Sequence, residues 1–315
     1  MKITKGLAHH QRVTHPVLTI GNFDGHHRGH RALLQEVVRT AGATRGTPII
    51  LTFDPHPVKV LAPSVDLRLL ITAEEKLVRF EEAGIEEVLF LEFNEAFASL
   101  TPEAFMFQIL RDGIGVRDLL VGEHFAFGKG RAGRVADLAR SSAEAGFRLH
   151  LVPPVRVGGE VVSSTRIRLL VQSGEVRRAA TCLGRPYALE GTVVQGDQRG
   201  RALGWPTANL PLPPARVIPA DGVYATKAVW NGCPFDSVSY IGTRPTFGRG
   251  DRLLEVSILD KELHLYNQEL RVEFVERLRG DLCFDTAEEL AARIELDACL
   301  AREVLKSDSQ PVADS

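Results

Sequence analysis

Cysteine is scarce in this sequence and unpatterned. Cys182, Cys233, Cys283 and Cys299 are scattered through 315 residues with no C-x-x-C pair. That excludes a disulfide framework and a structural zinc, and points to reduced thiols in a cytoplasmic protein. An excess of one charge sign is also missing. With a formal net charge of -2, no global basic field argues for nucleic acid. No apolar run approaches the ~20 residues of a membrane span, so no membrane association is expected. The opening Met1-Lys2-Ile3-Thr4-Lys5-Gly6 has basic residues without an apolar core behind them, unlike a secretory signal. What is present, 44% apolar and 25% charged residues, is the composition of a soluble globular protein, and the length leaves room for two domains.

The densest concentration of chemistry is Gly21-Asn22-Phe23-Asp24-Gly25-His26-His27-Arg28-Gly29-His30. It follows the apolar run 17–20 and leads into Leu33, Leu34, Val37 and Val38, which share one helix face. The stretch therefore reads as strand, glycine-rich turn, helix start. Such a turn presents backbone N–H groups and the positive end of a helix dipole, a seat for phosphate. His27 and His30 are three apart and so lie together at that opening. The plainer reading is a helix start with two surface histidines, but three glycines, an aspartate and the histidine pair converge on one turn.

From the start to residue 185 the chain alternates β and α patterns. Candidate strands are 17–20, 49–53, 88–91, 119–121 and 149–152. Helix starts stand out at Thr72-Ala73-Glu74-Glu75, a capping box, and at Thr101-Pro102-Glu103. A helix near 135–145 should stop at Gly146. This rhythm implies an α/β domain, a Rossmann-like parallel sheet covered on both faces, with ligands beyond the carboxyl ends of its strands. Three further loops fall at that edge. In Thr52-Phe53-Asp54-Pro55-His56-Pro57 two prolines stiffen the turn and aim Asp54 and His56. The segment 121–134 brings Phe125 and Phe127 with glycines and basic residues, which suits a planar ring or a mobile loop equally. Ser163-Ser164-Thr165-Arg166-Ile167-Arg168 opens a helix with more hydroxyls than a cap needs, which suggests a second phosphate clamp.

After Gly184-Arg185-Pro186 the texture becomes short strands with Gly/Pro turns, at 188–194, 222–229, 237–241, 253–259 and 270–278. That pattern predicts a small antiparallel β-barrel. A capping box at Thr286-Ala287-Glu288-Glu289 opens a terminal helix, and residues 307–315 read as a flexible tail. The predicted domains are thus 1–185 and 186–306. Within the second, 191–201 is a Gly-rich basic loop without the ending of a Walker motif. Thr207 and Asn209, two apart, face one way on an extended segment, where a hydroxyl and an amide oxygen can hold Mg²⁺ with phosphate oxygens.

Three first-half motifs, G-x-F-D-G-x-H-x-G-H, T-F-D-P-H-P and S-S-T-x-I-R, resemble the nucleotidyltransferase domain of bacterial bifunctional riboflavin kinase/FAD synthetases. P-T-A-N at 206–209, G-V-Y-A at 222–225 and G-T-R-P-T-F at 242–247 resemble the kinase domain of the same family. The resemblance implies ATP-dependent phosphorylation of riboflavin to FMN, then adenylylation of FMN to FAD with release of pyrophosphate. Mg²⁺ would be required, with ATP, riboflavin and FMN as the small-molecule partners. By resemblance, His27 and His30 stabilise the triphosphate, and Gly21, Phe23, Asp24, Gly25, Ser164, Thr165 and Arg168 belong to the ATP site. Asp54, His56, Phe125 and Phe127 are candidate flavin contacts. In the second half Glu255 is the catalytic base and Thr207 and Asn209 hold Mg²⁺-ATP. Gly196, Arg199, Gly200, Arg201, Gly204 and Pro206 serve the nucleotide and flavin, and Arg279 is either a ligand contact or a surface residue. Four positions depart from the family pattern: His124 for Asp, Gln195 for His, Tyr240 for Asn and Ser257 for His. The alternative is a nucleotidyltransferase for another acceptor, its barrel a non-catalytic flavin-binding module.

Overall fold

The computed structural model describes residues 1–195, 205–243, 252–261 and 263–308. The chain separates into two compact units, Met1–Ser164 and Thr165–Ser315. The geometric division therefore falls earlier than the functional boundary expected at 185.

The first unit is built on β1 (Lys2–Lys5), β2 (Pro16–Ile20), β3 (Thr47–Asp54), β4 (Glu87–Glu92), β5 (Asp118–Gly122) and β6 (Arg148–Val152). Every pairing is parallel, in the order β1-β4-β3-β2-β5-β6. Helices α1 (Arg28–Thr44) and α2 (Ala73–Glu82) pack on one face. The π-helical segment α3 (Phe105–Ile114) and α4 (Val135–Ala145) pack on the other. Alternate residues along each strand divide between the two layers. Leu18, Ile20, Ile49, Leu51, Leu89 and Leu91 join Phe105 and Leu110, whereas Val17, Ile50 and Val88 join Leu34, Val37 and Phe80. Burial on both faces explains why these strands read as unbroken apolar runs. From β2 the chain winds outward through β3 to β4, then returns to β5 on the other side of β2, so the carboxyl end of β2 is the switch point where ligands of such sheets bind.

Local signals behave as their chemistry requires. Thr72 and Glu75 close a reciprocal capping box at α2. Gly146 ends α4 in the left-handed conformation. Strand β1 is a four-residue edge with only Thr4 buried, so it carries no apolar run in the sequence.

At the amino edge of the sheet Asp118 is fully buried. Its carboxylate accepts from His15 Nε2 at 2.6 Å, Arg148 Nη2 at 2.8 Å and His150 Nε2 at 2.7 Å. Burial alone would raise its pKa; the hydrogen bonds from Arg148, His150 and His15 override it and hold the group down at about 2. A depressed carboxylate stabilises the fold above its unfolded value near ~4 and loses that contribution as pH falls through the folded value. D118N should therefore lower the thermal midpoint at pH 7 by roughly 5 °C. Differential scanning calorimetry should find the two proteins converging as pH approaches 2. A constant gap down to that pH would contradict the assignment.

The second unit carries α5 (Ser164–Gln172), α6 (Val176–Leu183), the strands β7 (Tyr187–Thr192), β8 (Ala208–Pro211), β9 (Gly222–Trp230), β10 (Cys233–Thr243), β11 (Arg252–Ile258) and β12 (Glu269–Arg279), and α7 (Ala287–Asp308). The strands pair antiparallel in the order β7-β12-β9-β10-β11-β8. A bridge between Val194 and Asn209 nearly closes the ring. The barrel interior takes Leu189, Leu210, Tyr224, Ile241, Leu254, Val256 and Phe274, all under 2% exposed. Among them lies a hydroxyl cluster in which Thr226 Oγ1 bonds Ser237 Oγ at 2.8 Å and Ser239 Oγ at 2.7 Å, so these buried polar groups are satisfied. On the outer face, α7 packs Ala298, Ala301 and Leu305 against Ala225 and Val275, with Val238 alongside. Helix α7 runs through Asp308, so Ser307 and Asp308 are helical and not part of the expected tail.

Candidate active sites

Two separate constellations emerge, one in each unit. The first is the turn after β2. Gly21 N–H bonds the Leu51 carbonyl at 3.1 Å, which ties the turn to the end of β3. Phe23, at φ 53°, turns its ring down into the core, edge-on to Phe80 at 5.4 Å and to His30 at 5.1 Å. Burying one such ring contributes about 1.5–3 kcal/mol, so Phe23 acts as the turn's anchor. Asp24 is buried, and its carboxylate accepts from Leu70 N at 2.9 Å and Ile71 N at 3.3 Å. It shapes the turn by pinning the segment before α2.

The histidine pair sits on that frame. His27 is the N-cap of α1: its Nδ1 accepts from His30 N at 3.2 Å. The two rings stack, centroids 3.6 Å apart and 15° from parallel. A Cβ at Gly29 would lie 3.2 Å from His27 Cε1 and Nδ1, so glycine gives the stacked ring its room. Gly25 adopts φ 81°, the left-handed region that lets the backbone reverse before the helix. His30 Nδ1 is buried and has no hydrogen-bond partner among the described residues. Packing around His30, then the neighbouring His27, His26 and Lys76, lowers its pKa well below the usual range, so its ring is neutral at pH 7. A neutral imidazole with an unpartnered nitrogen at a helix N-terminus can give or accept one hydrogen bond from a phosphate.

Lys76 joins this site without belonging to any of its motifs. It lies on α2 and its Nζ donates to the Asn22 carbonyl at 3.4 Å. Burial lowers its pKa while Asp24 and Asp54 oppose the shift. A cation thus stands behind the glycine-rich turn. In sequence it is one more lysine in an amphipathic helix, and only the docking of α2 beneath the turn distinguishes it.

Ser164 Oγ donates to the Asp24 carbonyl at 2.8 Å and so reaches the same turn. Thr165 and Arg168 follow on α5, in the second unit. Asp54 is exposed at the end of β3, and His56 caps the short helix Pro57–Leu61 by accepting from Val58 N at 3.2 Å. Phe125 stacks on Phe127 with centroids 5.7 Å apart. Phe127 itself is a core residue, packed on Phe105 and against Gly133.

The second constellation lies on the outer face of the barrel. Directly opposed residues of paired strands point to one side of a sheet. Asn209 opposes Glu255, and Glu255 opposes Tyr240. An amide, a carboxylate and a phenol therefore stand in one row across β8, β11 and β10. Their chain neighbours Leu254, Val256, Ser239 and Ile241 fill the interior. Asn209 Nδ2 donates to the Thr207 carbonyl at 3.5 Å, and Ser257 Oγ to the Pro206 carbonyl at 3.2 Å, which sets the entry to β8 against β11. Beside the row, Arg279 pairs with the buried Asp297 of α7 (Nη2–Oδ2 2.8 Å), joined by Arg293. Arg279 is thus not a free surface residue. Its ion pair fastens the terminal helix to the barrel. The expected contacts at Gly196, Arg199, Gly200, Arg201 and Gly204 lie outside the described residues.

Two family models match this chain, FAD synthetase over residues 9–166 and riboflavin kinase over residues 183–305. The chain belongs to the bifunctional riboflavin kinase/FMN adenylyltransferase family. A member of the family from Escherichia coli K12 is 39% identical over 289 residues, 91% of this chain and 92% of that protein. One from Bacillus subtilis strain 168 is 35% identical over 286 residues, 89% and 90% of the two chains. A crystal structure described as a macrolide-efflux protein from Streptococcus pneumoniae has the same fold, with a TM-score of 0.87, 28% identity and coverage of 96% and 99%. No helix among the described residues here is long and apolar enough to cross a membrane. In the terms of the family, the histidine turn lies within the FAD synthetase match and the Asn209–Glu255–Tyr240 row within the riboflavin kinase match.

Proposed function

We propose that the chain converts riboflavin to FMN in its barrel and FMN to FAD in its parallel-sheet unit, using ATP in both steps. The observation that supports this most is the coexistence, in one chain, of a stacked histidine pair, His30 of it held neutral, on a glycine-rich turn and a carboxylate in a polar row on a barrel face.

In the kinase step Glu255 accepts the proton of riboflavin's terminal primary hydroxyl as that oxygen attacks the γ-phosphorus of ATP. In the adenylyl step the phosphate of FMN attacks the α-phosphorus of ATP, and pyrophosphate leaves. His27 and His30 hydrogen-bond the triphosphate, and Lys76 adds positive charge behind the turn. Ser164 joins them through its contact with the turn, while Thr165, Arg168, Asp54, His56 and Phe125 are assigned by resemblance.

Both steps involve triphosphate charge that Mg²⁺ neutralises when bound. The donors on offer suit a hard cation: Thr207 and Asn209 supply a hydroxyl and an amide oxygen. The described residues contain no cluster of three or more His, Cys, Asp or Glu that could form a cage of their own. Mg²⁺ commonly takes one or two protein ligands and completes its shell with phosphate and water.

Purified protein given riboflavin, ATP and Mg²⁺ should accumulate FMN first and FAD later, with pyrophosphate released in step with FAD. Folded protein that yields neither product would refute the proposal.

A further inference from the structure

Tyr240 is the one member of the barrel-face row with no part in the chemistry above, and it is one of the positions that depart from the family pattern. Its ring folds back along β10 over Gly242: a Cβ at Gly242 would lie 2.0 Å from the phenol oxygen. That oxygen donates to Asp281 Oδ1 at 3.1 Å, just beyond the end of β12. Asp281 is held in turn by Leu282 N–H at 3.0 Å, and Asp221 by Arg252 Nε at 2.6 Å. Burial raises the phenol's pKa and Asp281 raises it further, with Asp221 and Glu255 close enough to add to the effect. The hydroxyl is therefore neutral, fixed in direction, and surrounded by carboxylates. Its donor is committed to Asp281, which leaves its lone pairs as acceptors.

Opposed side chains on paired strands start about 4.5–5.5 Å apart at Cβ. A flexible sugar-alcohol chain whose terminal hydroxyl lies at Glu255 and which runs toward β10 brings its preceding hydroxyls to Tyr240. We infer that Tyr240 is a specificity-determining residue of the kinase site: its phenol oxygen accepts a hydrogen bond from a secondary hydroxyl of the acceptor's polyol chain, with Asp281 and Gly242 holding the ring in place. The inference rests on the reading of Glu255 as the base of riboflavin phosphorylation. It assigns Tyr240 to the acceptor and not to ATP.

The test is steady-state kinetics of the full chain carrying Tyr240→Phe, with riboflavin and with a flavin whose side chain is a simple ω-hydroxyalkyl group lacking secondary hydroxyls. Loss of one neutral hydrogen bond should raise the KM for riboflavin about 10-fold. The KM for ATP in the same reaction and the rate of FMN adenylylation should stay at the wild-type values. The wild-type preference for riboflavin over the hydroxyalkyl flavin should shrink by the same factor. Gly242→Ala, which displaces the ring but keeps the hydroxyl, should reproduce the rise in riboflavin KM. A riboflavin KM within twofold of wild type in Y240F would overturn the inference. So would a parallel rise in the KM for ATP, which would mark a structural role. Failure of the underlying reading is separable, because it would appear as FMN formation surviving Glu255→Gln.

Discussion

Glu255→Gln should reduce FMN formation from riboflavin by about 10²–10⁴-fold, the usual contribution of a positioned general base. FAD formation from supplied FMN should be unchanged. The substitution keeps the size of the side chain and removes only its capacity to take a proton, so β11 should keep its register with β8 and β10. The barrel interior is made by the neighbouring Leu254 and Val256, which point the other way. A large stability loss is therefore not expected, and a thermal midpoint within a few degrees of wild type is the control.

His30→Ala should do the reverse, reducing FAD formation from FMN by about 10²–10³-fold, the scale for loss of one preorganised hydrogen-bond donor to a developing charge. The alanine removes the unpartnered Nδ1 and the ring that stacks on His27. The backbone N–H that caps onto His27 Nδ1 remains. The helix start should survive, with Phe23 and Asp24 still anchoring the turn. FMN formation should be untouched. The two variants thus separate along the chain, although both reactions consume ATP.

Most of the architecture is legible in the sequence because its signals are local. Strands β2 to β5 are largely buried apolar runs, and the cap at Thr72 and the stop at Gly146 are chemistry that reads the same in any context. Elements with a weak local signal are not legible in this way. Strand β1 is polar on an edge, and β8 is four residues ending in Pro211. The π-helical form of α3 has no composition of its own.

The sites are legible to a different depth. The motifs locate both constellations, yet motif membership does not say which atoms face the ligand. Phe23 and Asp24 belong to the glycine-rich stretch, but their side chains build the turn from beneath. Phe127 lies in an aromatic loop but packs into the core, and Arg279 is drawn to Asp297, 18 positions away in sequence. Lys76 and Tyr240 show the converse. Each becomes informative only when tertiary packing sets it beside Asn22 or Glu255, a relation between distant segments that no local pattern encodes.

The central claim is that one chain holds two independent reaction sites. The paired assay tests it most directly: E255Q and H30A, each given riboflavin in one reaction and FMN in another, with ATP and Mg²⁺ throughout. E255Q should make FAD from FMN and almost nothing from riboflavin, while H30A should make FMN from riboflavin and almost no FAD from either. A folded variant that loses both products, or retains both, would contradict it.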